Sequence, residues 1–160
     1  SKVQIPKQRE GFNRLIVIAD ITLNQIVSGL RKKMKIWLYT EDLDQDVVPA
    51  SYLKRPKAPY ALLVRERKEA DEEFANKSAD DLKREGVNIL TLLERLLYEL
   101  IYHDDTGEHL DEENWTLTGS RDRDGCVPHV CWDAEYGGVF VFWSDPEHRR
   151  GRLRARLAVS

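Results

Sequence analysis

GSRDRDGCVPHVCWDAEYGGVFVFWSDPEHRRGRLRARLAVS, residues 119–160, carries the clearest strand pattern in the chain. It holds two strand patterns, V-x-x-V-x-W at Val127, Val130 and Trp132, and V-x-V-x-W at Val139, Val141 and Trp143. Side chains alternate between the two faces of a strand, so Val and Trp form the expected inward set. The outward set is His129, Cys131 and Asp133 on the first strand, and Phe140, Phe142 and Ser144 on the second. A half-buried strand normally carries polar residues on its wet face. Two Phe mixed with Cys, His, Asp and Ser instead mark a contact surface laid on a packed scaffold.

Working outward, the chain before this hairpin is rich in helix and strand signals. Phe12–Ala19 (FNRLIVIA) predicts a buried strand. Thr22-x-x-Gln25 is a capping box opening a helix striped with Leu23, Ile26, Val27 and Leu30. Lys35–Thr40 predicts a second strand, and the acidic, then Pro-bearing stretch 41–57 predicts a loop. Tyr60–Arg67 predicts a third strand, and Ser78-x-x-Asp81 caps a short helix that Gly86 ends. The strongest local signal is Thr91-x-x-Glu94 followed by Leu92, Leu93, Leu96, Leu97, Leu100 and Ile101, with Gly107 in place as terminator. Short strands follow at 115–118, 127–132, 139–143 and 153–159. The expected class is α+β, divided into a strand-helix-strand extension over 1–57 and a domain over 58–160. An antiparallel sheet requires the last strand to pair with an early one.

Composition bounds the function. The chain has 160 residues, 41% hydrophobic and 33% charged, which fits a globular domain with a real core. A net charge of -3 argues against a general nucleic-acid binder, although Arg149, Arg150, Arg152, Arg154 and Arg156 cluster near the end. No apolar run approaches the ~18 residues of a membrane span, and no signal-peptide pattern is visible. The two cysteines, Cys126 and Cys131, read as free thiols. A local disulfide would need a bend near Pro128, and a zinc site would want more Cys or His nearby.

Candidate chemistry is sparse. Asp42, Asp44 and Asp46 open a D-x-D-x-D calcium pattern, but Val47 stands where the loop needs Gly and Leu53 where it needs Glu, which leaves a solvated acidic turn. His103, Asp104, Asp105 and His109 read as a helix end followed by a polar turn. Glu69, Asp71, Glu72 and Glu73 read as a solvated acidic segment. No nucleophile elbow, zinc-protease helix, phosphate loop or dinucleotide fingerprint occurs. No catalytic residue, metal or cofactor is therefore assigned, and a non-enzymatic binding protein is expected.

The motif Gly119-Ser120-Arg121, Asp124-Gly125, Val127-Pro128, Val130, Trp132, Val139, Val141, Trp143, Pro146 and Leu153-Arg154-Ala155-Arg156 resembles the variable proteins of diversity-generating retroelements. The nearest resemblance is to the small ones of uncultivated archaea, their viruses and candidate-phylum bacteria. Thr91–Asp111 resembles what precedes the motif there, and the resemblance is good from Tyr60 onward. It implies a C-type lectin fold in its calcium-independent form, with Tyr60–Arg67 as first strand and Leu153–Val159 as last, paired beside it. It also implies that an error-prone reverse transcriptase mutates adenines in codons of the AAC/AAT type. Such codons reach Asp, Arg, Cys, His, Phe, Ser and Gly but not Trp, Glu, Lys, Gln or Met. The variable, ligand-binding positions so implied are Asp122, Arg123, Cys126, His129, Cys131, Asp133, Phe140, Phe142, Ser144, His148, Arg149, Arg150, Gly151 and Arg152. All hold reachable residues, whereas Trp132, Trp143 and Glu147 do not and would be fixed.

A variable face is tolerable only if stability resides elsewhere. Val127, Val130, Trp132, Val139, Val141 and Trp143 would carry the local core at roughly 1.5–3 kcal/mol each, with Arg154 and Arg156 anchoring the last strand. The expected partner is a protein on a host or neighbouring cell, with no nucleic acid, no membrane insertion and a monomer favoured; display on a virion or a cell surface stays open. Thr118 departs from the Cys common at its position in related sequences, and no Glu-Pro-Asn sugar motif is present. Two rival classes remain. One is an enzyme on the related formylglycine-generating type of fold, using Cys126 or Cys131. The other is a structural or virion module with one fixed partner.

Overall fold

The long helix predicted after Thr91 is the axle of the molecule. The computed structural model describes residues 2–160 and places α4 at Leu92–Thr106. Thr91 and Glu94 form the reciprocal capping box: Thr91 N–H donates to Glu94 Oε1 at 2.9 Å and Glu94 N–H to Thr91 Oγ1 at 3.3 Å. Gly107 ends the helix at φ +74, a left-handed conformation suited to glycine. A helix apolar around much of its girth must be buried between layers. Leu92 and Leu96 pack into one core cluster, Tyr98 and Tyr102 into a second, and Leu93 and Leu97 touch both.

Four α-helices and nine strands occur among the described residues, an α+β protein. In chain order they are β1 (Arg14–Ile18), α1 (Leu23–Arg31), β2 (Lys35–Leu38), α2 (Leu43–Asp46), β3 (Val47–Pro49), β4 (Tyr60–Val64), α3 (Ala79–Arg84), α4, β5 (Trp115–Leu117), β6 (Ser120–Asp122), β7 (Val127–Asp133), β8 (Gly138–Ser144) and β9 (Leu153–Arg154). The main sheet has five strands in the order β2-β8-β7-β5-β9. Its β7–β8 and β5–β7 pairs are antiparallel, while β2–β8 and β5–β9 are parallel. Two-stranded antiparallel sheets, β1–β4 and β3–β6, flank it.

The strand, helix, strand order at the N-terminus is as expected, but it is woven into the rest rather than appended. β1 pairs with β4 and β2 with β8, so residues 1–57 and 58–160 share sheets. Long-range pairing of this kind leaves no trace in local sequence. Nor is β1 buried on both faces: Ile16 and Ile18 point inward while Leu15 and Val17 are exposed. The stretch 41–57 is also more than a loop. Asp42 caps α2, accepting from Gln45 N–H at 3.2 Å, and β3 pairs with β6. The D-x-D-x-D cluster fastens α2 to α1, because Asn24 donates from Nδ2 to Asp42 at 2.9 Å and from its backbone to Asp44 at 3.0 Å.

The final segment is another correction. A single strand over 153–159 is replaced by β9 and two isolated bridges, Leu157 to Ile89 and Val159 to Leu63. Leu63 and Val159 exchange both backbone hydrogen bonds at 2.9 Å, so the end of the chain does lie antiparallel to β4. Between β9 and these bridges Arg156 turns inward and is buried. It donates to the carbonyls of Arg67 and Lys68 at 2.8 and 2.7 Å and to Asp111 Oδ1 at 2.8 Å. The anchoring role read for Arg156 is therefore seen. Arg154 makes a local bond only, Nε to the Gly151 carbonyl at 2.9 Å.

A buried charged network ties these layers together. Arg95, Glu99 and Asp111 are fully buried, with Arg95 within 3.2 Å of Glu99 and 3.1 Å of Asp111. Arg55 grips Glu94 with two bonds, at 2.8 and 3.1 Å. Buried charges are tolerated when paired and hydrogen-bonded in this way.

Candidate binding site

Register in the β7–β8 hairpin sorts its side chains. Val130 lies opposite Val141 and Trp132 opposite Val139, while His129 lies opposite Phe142 and Cys131 opposite Phe140. Directly opposed residues share a face. The Val130, Val139 and Val141 face packs on α1 and α4. At the hairpin turn, Asp133 Oδ1 accepts from Tyr136 N–H at 2.8 Å and Gly137 adopts φ +73.

The other face carries an aromatic row across four strands. Trp37 of β2 stands 5.5 Å from Phe140 and 5.8 Å from Phe142; His129 of β7 stands 5.9 Å from Phe142 and 4.5 Å from Trp115 of β5. The last two contacts are edge-to-face, at 84° and 72°, a favoured aromatic geometry. Where the segment after Ser144 returns past this row, it encloses a cleft of about 670 Å³. Trp115, His129, Phe142 and Trp143 wall it, and Ser144, Asp145, His148, Arg150, Gly151 and Arg152 rim it. That volume suits a small molecule or a few side chains of a partner.

Two residues that line the cleft each hold a buried side-chain atom with no hydrogen-bond partner: His129 Nδ1 and Ser144 Oγ. His129 is only 8% exposed. Burial is the main cause pushing its imidazole down to about 4, offset in part by a bond to the Trp143 backbone. It is therefore neutral at neutral pH. Arg150 and Arg152 are exposed and make no ion pair among the described residues. A Cβ added at Gly151 would meet nothing nearer than 3.9 Å, whereas one at Gly138 would lie 2.6 Å from the Lys35 carbonyl and one at Gly119 would collide with Leu53.

The structure gathers His129, Phe142, Ser144, His148, Arg150, Gly151 and Arg152 around this cleft. The other positions read from sequence lie apart. Asp122 and Arg123 sit beside Tyr39, where Asp122 Oδ2 accepts from the Tyr39 hydroxyl at 3.0 Å and Arg123 pairs with Asp46 at 2.9 Å. Burial and then the Asp122 hydrogen bond push the Tyr39 phenol well above its usual range. Cys126 is half-buried, Asp133 holds the turn, and Phe140 lies between Trp37 and Tyr136. Arg149 reaches Asp81 with two bonds, at 2.7 and 2.8 Å, and these hold the Asp81 carboxyl well below the usual carboxylate range.

Several expectations need correction. Cys131 and His129 face outward but are buried, Cys131 at 5% exposure, because β7 is an inner strand and its neighbours cover that face. Burial pushes the Cys131 thiol up to about 12, and raises that of Cys126 as well. Both cysteines are free. Trp143 is not core: the indole is 43% exposed and stacks 6.1 Å from the Phe142 ring. Val127 is buried, but on the opposite face from Val130, since the two are an odd number of positions apart along the strand; it belongs to a third cluster with Phe74, Leu82 and Leu153. Trp132 is half-buried, stacked 3.4 Å from the His109 ring, which stacks in turn on His103. His109 Nδ1 lies 2.9 Å from Glu99 Oε2.

Sequence reasoning missed Trp37 and Trp115, which line the same face from strands outside residues 119–160. Both sit in strand patterns, but nothing local said which strands would neighbour the hairpin. Among the described residues no group of three or more metal-ligating side chains converges, and no helix is long and apolar enough to cross a membrane. Compared with known proteins, the chain matches no family model, and no curated protein or solved structure is significantly similar to it.

Proposed function

We propose that this chain is a non-enzymatic ligand-binding protein with a C-type lectin-like fold, whose cleft and rim residues are diversified by a retroelement to recognise protein ligands. The observation that carries the reading is a separation of roles. His129, Phe142, Ser144, His148, Arg150, Gly151 and Arg152 at the cleft of about 670 Å³ are all of types reachable from adenine-rich codons, whereas the buried charged network lies in other elements and the Val130, Val139 and Val141 contacts with α4 lie on the opposite face of the hairpin. Such a division lets a recognition surface change without loss of the fold. Open space at Gly151, against the crowded Gly119 and Gly138, follows the same division. The approach of the chain end to β4 through Leu63 and Val159 agrees with the closed loop expected of a C-type lectin domain.

An enzyme relying on Cys126 or Cys131 finds no support, because a raised thiol is a poor source of thiolate at neutral pH. The decisive experiment is deep sequencing of the codons for residues 119–160 in the source population. Substitutions concentrated at His129, Phe142, Ser144, Arg150 and Arg152, with Trp132 and Trp143 constant, support diversification. Uniform or absent variation refutes it and favours a module with one fixed partner.

A further inference from the structure

Resting on the reading of the cleft as a ligand site, we infer that it takes an acidic segment of a protein partner, anchored by one large apolar side chain. Both demands come from groups that solvent reaches. Phe142 and Trp143 are 40% and 43% exposed, and their rings stack 6.1 Å apart at 24°. With Trp115 and Leu153 they form the apolar part of the cleft wall. Aromatic surface left open beside a concave site is what an apolar anchor covers. The mouth supplies the charge. Arg150 and Arg152 are exposed and make no ion pair among the described residues, whereas Arg149 is engaged by Asp81. Asp145 is the one acidic side chain lining the cleft.

The two free guanidinium groups stand on a fixed base. The Arg150 carbonyl accepts from Asn76 N–H at 3.0 Å, and the Arg152 carbonyl from Trp115 N–H at 2.6 Å. Upstream, the Pro146 carbonyl accepts from Asp80 N–H at 2.9 Å, and Arg149 donates twice to Asp81 at 2.7 and 2.8 Å. A rim fastened in this way needs little ordering when a ligand arrives. On a chain of net charge -3, unpaired cations at one mouth set a local field opposite to that of the whole, and carboxylates complement it. A lysine or arginine anchor would find the rings but meet two like charges. A nucleic-acid strand would also find rings to stack on, but it needs cations tracking along its backbone, and here two stand beside Asp145.

The test titrates the full chain with acetyl-Glu-Glu-Leu-Glu-Glu-amide, acetyl-Glu-Glu-Ser-Glu-Glu-amide and acetyl-Lys-Lys-Leu-Lys-Lys-amide, read by NMR shifts of backbone amides and Trp indole N–H groups. The acidic leucine peptide is expected to shift the Gly151 amide and the Trp143 indole. It should bind on the order of 10-fold tighter than the lysine peptide, and on the order of 10-fold tighter than the serine peptide. Its advantage over lysine should shrink as NaCl is raised. The double variant Arg150→Glu with Arg152→Glu is expected to reverse the charge preference and keep the leucine preference; Trp143→Ser is expected to do the opposite. All three side chains are exposed, and should a variant still fail to fold, the peptide series and salt dependence on the parent chain decide. Equal binding of the acidic and basic leucine peptides, tighter binding of a thymidine pentanucleotide, no shift at millimolar peptide, or shifts lying outside the cleft overturns the inference and leaves diversification standing. Conversely, acidic-peptide selectivity in a population whose cleft codons do not vary upholds the inference and removes diversification.

Discussion

Replacing Asp111 with Asn should damage this protein far more than any change at the cleft rim. Asp111 is fully buried at φ +58, a conformation Asn adopts readily, so the backbone is not the variable. Its Oδ1 accepts from Ala70 N–H at 2.7 Å and from Arg156 at 2.8 Å; its Oδ2 accepts from Arg95 Nε at 3.2 Å and from the Thr116 hydroxyl. An asparagine amide can keep the first oxygen's bonds but sets an NH₂ donor against the Arg95 guanidinium. The cluster of Arg95, Arg156, Glu99 and Asp111 also goes from neutral to one uncompensated buried positive charge. Removing one partner of a buried pair costs about 3–5 kcal/mol. At ~2–4 °C per kcal/mol for a chain of this size, Tm falls by roughly 6–20 °C. Urea unfolding followed by Trp fluorescence measures the loss, with Arg152→Ser as a rim control expected within ~0.5 kcal/mol of the parent. A loss below ~1 kcal/mol for Asp111→Asn, or an equal loss for Arg152→Ser, would refute the claim that the frame and not the rim carries stability.

Three further outcomes follow from the same structure. Leu96→Ala empties a fully buried position between α4 and the main sheet and should cost about 2–5 kcal/mol in denaturant melts. His129 titrates at about 4 in the fold against about 6.5 unfolded, so between these values the unfolded chain binds the proton and the native one does not. Its contribution, on the order of 3 kcal/mol, is complete above pH 6.5 and is lost as pH falls toward 4; NMR titration giving a native value near 6.5 would contradict this. Cys126 should label with iodoacetamide before Cys131 in the native protein, since both thiols are raised but Cys131 is the more buried; mass spectrometry after timed quenching reads the order.

Short-range signals were legible in the residues themselves. The capping boxes at Thr22, Ser78 and Thr91 each appear as reciprocal side-chain to backbone bonds, because a cap depends on residues three apart and nothing else. The β7–β8 hairpin and its Val130, Val139 and Val141 face were legible for the same reason: alternation is a property of the strand. What lies above a strand is not such a property. Alternation assigned Cys131 and His129 to the outward face, but only the neighbouring strands and the returning segment made that face a covered one. Trp143 shows the converse, a residue that alternation assigned inward but that the fold leaves exposed at the cleft.

The class of the fold, the caps, the hairpin and the composition of its two faces follow from local sequence, since each rests on contacts between residues close along the chain. Tertiary structure alone decided that β2 joins β8 and brings Trp37 to the aromatic row, that β5 brings Trp115, and that Arg95, Asp111 and Arg156 meet in one buried cluster. Those contacts join different elements, most of them far apart along the chain. Their free energy comes from desolvating and pairing groups that carry no mark of their partners until the chain closes.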